Sequence, residues 1–244
     1  MKLTKEQFKQ KTAESAENSG IYLNDNQLEA LSLYKEMLVE WNEKINLTAI
    51  TDDEEIIEKH IIDSLEIVKY IHEGQSVIDV GTGAGLPGII IAIYFEGKIK
   101  ITLFDALNKR IIFLQQVIDK LGLSNVEAVH GRAEETSRDV KFREVYDVAV
   151  SRAVARLNVL LELTAPFVKV NGSCIYMKAD KTTEELQESK NAIKQLGLEL
   201  KEIKEYKINV EHEEINHTIV LFNKKENNKE KYPRQFAKIK KNPL

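Results

Sequence analysis

Three observations predict an α/β fold organised on a mostly parallel sheet. Short apolar strands alternate with helical segments from residue 76 onward. A glycine-rich turn, Gly81 to Gly85, joins the first strand to the first of those helices. The last two strands follow one another directly, so they are expected to close one edge as an antiparallel hairpin. In front of this pattern, residues 4–70 read as helices only, a cap without strands.

Residues 4–19 form a polar amphipathic segment ended by Gly20. A second helix starts at Asn24, which has capping-box spacing to Gln27. Its apolar residues Leu28, Leu31, Tyr34, Leu38 and Trp41 recur at steps of three and four, which gives one buried stripe. Asn42 to Thr51 reads as a connector, and Thr51 with Glu54 as the capping box of a third helix running to Tyr70, with Ile57, Ile61, Leu65 and Val68 inward. Strands are expected at 76–80, 100–105, 125–129, 146–150 and 172–178. Helices fit between them at 88–95, 108–121, a short one near 134–139, and 157–169. A helix at 182–196 ends at Gly197, and the closing strands are 199–209 and 215–223, with a polar turn around Glu211 to Glu214. The division expected is a helical cap at 1–72, a catalytic domain at 73–223 and a basic tail at 224–244.

The 244 residues are 43% hydrophobic, which is ample for one large α/β core. The net charge of −4 is unevenly spread: residues 224–244 hold eight Lys/Arg against Glu226 and Glu230, so the tail is +6 and the body −10. A basic terminus on an acidic body suggests a local contact with a polyanion; a solvated, disordered end is the equally simple alternative. The lone Cys174 excludes a disulfide framework and a cysteine-based zinc site, and the five histidines show no metal-ligand spacing, so no metal is expected. The charged N-terminus is unlike a signal peptide, and the longest apolar run, Gly88 to Phe95, is far short of a membrane span. A cytoplasmic protein without membrane contact, acting as a monomer, is expected.

The loop Asp79-Val-Gly81-Thr-Gly83-Ala-Gly85 follows a strand and precedes a helix, as nucleotide-like ligands require. Three residues after Gly83, where the dinucleotide fingerprint places a small residue, stands Leu86; no Gly-Lys-Ser/Thr follows either. A mostly parallel sheet with a final antiparallel pair is the layout of the Rossmann-like, S-adenosylmethionine (SAM)-dependent methyltransferase fold. In that setting Gly81, Gly83 and Gly85 let the backbone pass beside the methionine moiety, and Asp79 orders its ammonium end. Asp105, 26 residues on and at the end of the second strand, is placed to accept from ribose hydroxyls. Gly131-Arg132-Ala133-Glu134 follows the third strand, where adenine is read, and Arg152 exits the fourth beside the methyl group. Arg132 and Arg152 are therefore expected to share the active crevice and meet an anionic substrate, with surface ion pairs to Glu134, Glu135 or Asp147 as the alternative. Lys178 closes the fifth strand in a similar place. His60 and Asp63, one turn apart, read best as a satisfied core pair, and Cys174 as a buried, inert thiol.

With these residues, the chain resembles the bacterial 16S rRNA (guanine-N7)-methyltransferase family, also called the glucose-inhibited division protein B family. The resemblance is carried by Trp41-Asn42, Asn46-Leu47-Thr48, His60 with Asp63-Ser64, Asp79 to Gly88 with its Leu-Pro-Gly extension, Asn108 to Leu114, Arg132-Ala133-Glu134, Ser151-Arg152-Ala153, and Tyr232-Pro233-Arg234 ahead of Lys240 to Leu244. After Arg234 the family pattern of Gly-x-Pro is replaced by Gln235 to Lys238. The resemblance implies SAM as methyl donor and guanine N7 in the 530 loop of 16S rRNA, free or in the small ribosomal subunit, as acceptor. It implies cofactor contacts at Gly81, Leu86, Ala133, Glu134 and Arg152, a role for Arg132 near cofactor or RNA, and a catalytic part for Lys178 beside Arg132 and Arg152. Guanine N7 already carries an in-plane lone pair, so the chemistry needs placement and no general base. Two other readings remain at this level: a SAM-dependent enzyme acting on a small molecule or protein, and a non-catalytic or NAD-binding module.

Overall fold

The computed structural model describes residues 2–178, 182–210 and 213–244. Seven strands form one sheet in the order β3-β2-β1-β4-β5-β7-β6: β1 Ser76–Val80, β2 Lys100–Asp105, β3 Val126–His130, β4 Tyr146–Arg152, β5 Val168–Lys178, β6 Leu198–Val210 and β7 Glu213–Lys224. The first five are parallel; β7 runs antiparallel to both β5 and β6, so the expected hairpin closes the edge. The expected turn around Glu211 includes residues 211 and 212, which lie outside the described residues. β1 pairs with β2 on one side and β4 on the other. The strand order reverses there, so the sheet opens a crevice past the C-terminal ends of β1 and β4.

Apolar helices cover both faces. One core joins Ile90, Phe113 and Val117 to the strand residues Val77, Leu103 and Val150, and continues into Phe8, Leu31, Tyr34 and Ile61 of the N-terminal helices. The other face buries Ile78, Tyr146, Leu160, Phe167 and Phe222. The N-terminal segment thus shares its core with the sheet.

Local chemistry explains the element boundaries. Thr4 with Gln7 and Asn24 with Gln27 form complete capping boxes for Lys5–Asn18 and Asp25–Ile45. The second helix runs on through Asn42 and stops at Asn46, whose φ of 50° is left-handed, so the connector is shorter than its sequence suggested. Asp52, not Thr51, caps the third helix: its Oδ1 accepts from the amides of Glu54 (2.9 Å) and Glu55 (3.3 Å). That helix is α-helical over Asp53–Ile56, widens to a π-helical stretch over Ile57–Ile62, and ends at Leu65. A π-helical stretch re-aims side chains, and here it turns His60 toward β4. Pro166 sits in the 3-10 turn Ala165–Phe167, so the expected helix 157–169 ends at Thr164 and β5 starts early, at Val168. The expected helix 182–196 is split at Ser189, whose hydroxyl bonds back to the carbonyl of Glu185 at 2.6 Å.

The basic tail folds onto the body. Lys224 is fully buried and donates to Glu144 (2.6 Å), Ala165 (2.9 Å) and Asn228 (2.8 Å). Arg234 forks onto the buried Glu162, with Nε 2.9 Å from Oε1 and Nη2 2.6 Å from Oε2. Arg143 donates to the carbonyls of Asn228 (2.9 Å) and Tyr232 (3.0 Å). Two of the eight basic residues therefore build the fold, while Lys238, Lys240 and Lys241 stay exposed on the short helix Phe236–Lys241.

Candidate functional site

The glycine loop after β1 is braced from below by Asp79. This carboxylate is completely buried, and its Oδ2 accepts from the Thr82 hydroxyl (2.6 Å) and the Gly88 amide (2.8 Å). Burial outweighs those bonds and pushes its pKa up to about 6. Its Oδ1 is buried with no hydrogen-bond partner among the described residues. Asp79 was expected at the ligand; it lies under the loop instead, because its strand-end side chain points into the turn it stabilises. Gly81, Gly83 and Gly85 have φ of 74°, 61° and 93°. Their surroundings differ. A Cβ on Gly85 would meet Ile89 at 2.5 Å and Leu114 at 2.9 Å, whereas around Gly83 there is only the Gly81 carbonyl, at 3.9 Å. Gly81, against which Val154 packs 2.5 Å from the Cβ position, and Gly83 border the cleft above this loop, whereas Gly85 faces the core.

A cleft of about 500 Å³ lies above this loop, walled by Gly81, Gly83, Leu86, Asp105, Leu107 and Arg152. Asp105 at the end of β2 is almost fully buried; its Oδ2 accepts from the Gly83 amide (2.9 Å) and Arg110 (3.1 Å), its Oδ1 from the Leu107 amide (2.9 Å). A carboxylate offers about four acceptor positions, so one on Oδ1 is left for a ligand.

Arg152 forms the wall opposite. Its Nη1 donates to the Lys59 carbonyl (2.7 Å) and Asp63 Oδ2 (2.9 Å), and its Nη2 lies 3.4 Å from His60 Nδ1. The other oxygen of Asp63 receives Tyr206 (2.5 Å) and His217 Nδ1 (2.7 Å) from the β6–β7 hairpin. Burial alone would raise the Asp63 pKa; the His217 hydrogen bond and the Arg152 charge reverse that and hold it below the ordinary carboxylate value. His60 is driven down to about 4, by burial first and by the Arg152 charge second, so it is neutral at pH 7. Its Nε2 sits 2.9 Å from the Thr48 hydroxyl, and the Thr48 amide donates to Asn42 Oδ1 at 2.8 Å. His60 and Asp63 are buried and satisfied, as expected of a core pair, yet they are also the mounting of Arg152.

Arg152, Ala153 and His60 also border a second cleft, of about 460 Å³. There Lys178 donates to the Ala155 carbonyl (3.0 Å) and pairs with Glu185 (2.7 Å). Ala153 holds φ 55°, a left-handed conformation that is costly for a residue with a Cβ, at the point where the two clefts meet.

Arg132 does not join this group. Its side chain is 62% exposed and reaches no nearer than 4.0 Å to Glu134. With Ala133 and Glu134 it follows β3, and β2 and β1 intervene before β4. The expectation that Arg132 and Arg152 share one crevice is therefore corrected: they exit strands separated by β2 and β1, and neither Arg132, Ala133 nor Glu134 walls either of the clefts that Arg152 borders. Cys174 is fully buried in β5, and burial lifts its thiol to about 11, which leaves it unreactive. Tyr206, His217 and Glu185 were missed by sequence reasoning, since nothing local distinguishes them from other polar residues on a strand or helix.

The family described as rRNA small subunit methyltransferase G matches residues 27–216 of the chain. The ribosomal RNA small subunit methyltransferase G of Clostridium perfringens (strain 13 / Type A) is 47% identical over 232 residues, covering 94% of this chain and 96% of the relative. That of Clostridium beijerinckii is 48% identical over 234 residues, covering 95% and 97%. Among solved structures, a SAM-dependent methyltransferase from Aquifex aeolicus superposes with a TM-score of 0.53 at 18% identity, over 72% of this chain and 96% of that one, which is a likeness of fold.

Proposed function

The chain belongs to the rRNA small subunit methyltransferase G family, and from that premise we propose that it places N7 of a guanine in the 530 loop of 16S rRNA against the methyl group of SAM. The fold is the Rossmann-like SAM-dependent methyltransferase fold, and the protein is a SAM-dependent rRNA methyltransferase.

The first cleft fits SAM by its own chemistry. Gly81 and Gly83 present bare backbone, Leu86 gives an apolar wall, and Asp105 keeps one acceptor position for a ribose hydroxyl. When bound, SAM supplies an electrophilic methyl on a sulfonium. The chain's own task is then placement. Arg152 is held rigid by Lys59, Asp63 and His60, so whatever it contacts is fixed relative to the glycine loop. Guanine N7 has a free in-plane lone pair, and the titratable neighbours of Arg152 are already committed to one another, so no residue has to remove a proton. Asp79 acts through the loop it braces, and Lys178 and Arg132 act on RNA outside the first cleft. We read 1–72 as a cap on the catalytic domain 73–223, with the exposed lysines of the tail as RNA contacts. No described helix is long and apolar enough to cross a membrane, and we place the reaction in the cytoplasm, with the protein acting as a monomer.

The observation that carries this reading is the position of Arg152 on the partition between two clefts, one of them bordered by the glycine loop. Incubating the protein with tritiated SAM and small ribosomal subunits, then mapping N7-methylguanosine, tests it. Label at one guanine N7 in the 530 loop is expected; label elsewhere, or on no RNA, refutes it.

A further inference from the structure

We propose that the second cleft is the pocket for the target base and that Glu185 is the residue that selects guanine there. This rests on the guanine-methyltransferase reading above and deepens it.

The two clefts share Arg152, Ala153 and His60 as a common wall. A base seated in the second therefore has one edge at the partition, turned toward the glycine loop. Guanine presents acceptors, N7 and O6, on that edge and donors, N1–H and the 2-amino group, on the edge away from it. The cleft is polarised to match. Arg152, a donor only, stands at the partition, and its side chain is 15% exposed. Glu185, an acceptor when ionised, lines the same cleft. Its Oε2 is engaged by Lys178 (2.7 Å) and by the Leu157 amide (2.8 Å); no hydrogen bond among the described residues reaches its Oε1. The side chain as a whole is 13% exposed, so a hydrogen bond to that carboxylate forms in a partly desolvated place, where it is worth more than in open water. Between the two poles Met177, Ile208 and Ile215 give apolar surface for a flat ring. A base unstacked from folded RNA needs such a pocket.

The same pole discriminates against adenine. Adenine would turn its N1 lone pair toward the carboxylate and a 6-amino group toward the guanidinium, placing acceptor against acceptor and donor against donor.

Small subunits reconstituted with rRNA carrying guanine or inosine at the methylated position test this, because inosine lacks only the 2-amino group. Wild-type protein is expected to favour guanine about tenfold or more in kcat/KM, the value of one hydrogen bond to a charged group. Glu185→Gln keeps an acceptor for Leu157 and is expected to shrink that preference severalfold, with SAM affinity by calorimetry unchanged. Lys178→Met removes the ion pair and leaves the carboxylate, so it is expected to slow transfer while keeping the guanine preference. Equal treatment of guanine and inosine by the wild type overturns the inference, as does an unaltered preference in Glu185→Gln. A preference lost as completely in Lys178→Met overturns it too, because Glu185 would then serve only to hold the lysine. Absence of transfer to either RNA by the wild type overturns the guanine-methyltransferase reading itself, and this inference with it.

Discussion

The two walls of the first cleft are built in opposite ways. The glycine-loop wall is local: Asp79, Thr82 and Gly88 lie within ten residues and hold one another. The Arg152 wall is assembled at long range, from Asn42, Thr48, His60 and Asp63 on one side and Tyr206 and His217 on the other. Each wall centres on a buried aspartate, and the two are shifted in opposite directions, Asp79 upward to about 6 and Asp63 downward. The local turn holds its poorly solvated carboxylate with one backbone amide and one hydroxyl, both on the same oxygen. The long-range wall recruits a cation and a histidine, and its geometry exists only once the chain has folded.

The largest effect expected is on the long-range wall. Arg152→Ala should lower methyl transfer by at least about 100-fold, as does loss of a preorganised cationic group at a reacting centre. Circular dichroism should stay close to wild type, while stability falls because Asp63 keeps only Tyr206 and His217 as partners. Wild-type turnover in this variant would end the role assigned to Arg152.

The two aspartates give the next test, in stability against pH. Asp63 has a depressed folded pKa, so its contribution is complete above the unfolded value near 4 and is lost as pH falls below it. Asp63→Asn removes a buried partner of Arg152 and should cost about 3–5 kcal/mol at pH 7. Asp79 works with the other sign. Its raised folded pKa makes the ionised form costly, so stability falls as pH rises from about 4 to about 6, by about 3 kcal/mol at most for this group. Urea unfolding of Asp79→Asn across that window should therefore slope less steeply downward than wild type. Parallel profiles would mean that Asp79 does not titrate there.

The contrast also explains what was legible beforehand. The alternation of strands and helices, the closing hairpin and the glycine loop follow from periodicity and spacing, which are local quantities. So is the cap at Asn24. Boundaries failed where a side chain could serve two neighbouring positions, as with Thr51 and Asp52, or where one residue breaks a periodic run, as Pro166 and Ser189 do. Arg152 was found because it exits a strand beside the loop. Its separation from Arg132 was not, because the exits of β3 and β4 look alike in sequence while the sheet order sets β2 and β1 between them. Asn42, Thr48, His60 and Asp63 were visible as motif fragments, and only the π-helical turn and the hairpin reveal what joins them.

Within the local wall, two glycines separate folding from binding. Gly85→Ala forces a Cβ against Ile89 and Leu114 at a φ of 93°, and should cost about 2–4 kcal/mol of stability from overpacking and backbone strain. Gly83→Ala meets only the Gly81 carbonyl, at an ordinary 3.9 Å, so its loss should be limited to about 1–2 kcal/mol of backbone strain, with SAM affinity falling because the cleft is narrowed. Thermal unfolding and calorimetry on the pair decide it. Equal losses of stability would mean that the loop's two sides are not distinct.

The smallest effect concerns the tail, where the same division between fold and contact recurs within one segment. Deleting residues 224–244 would confound the two, since Lys224 and Arg234 are buried or half-buried structural cations. Replacing Lys238, Lys240 and Lys241 by Gln leaves those bonds alone and removes three exposed charges. If these lysines meet RNA phosphates, the slope of log affinity against log salt should become shallower by up to about 2, at about 0.7 per phosphate for single-stranded RNA. Affinity at physiological salt should drop a few-fold, with the melting temperature unchanged. An unaltered slope would assign the whole tail to the fold, leaving Arg132, Lys178 and the partition at Arg152 as the cations that hold the RNA.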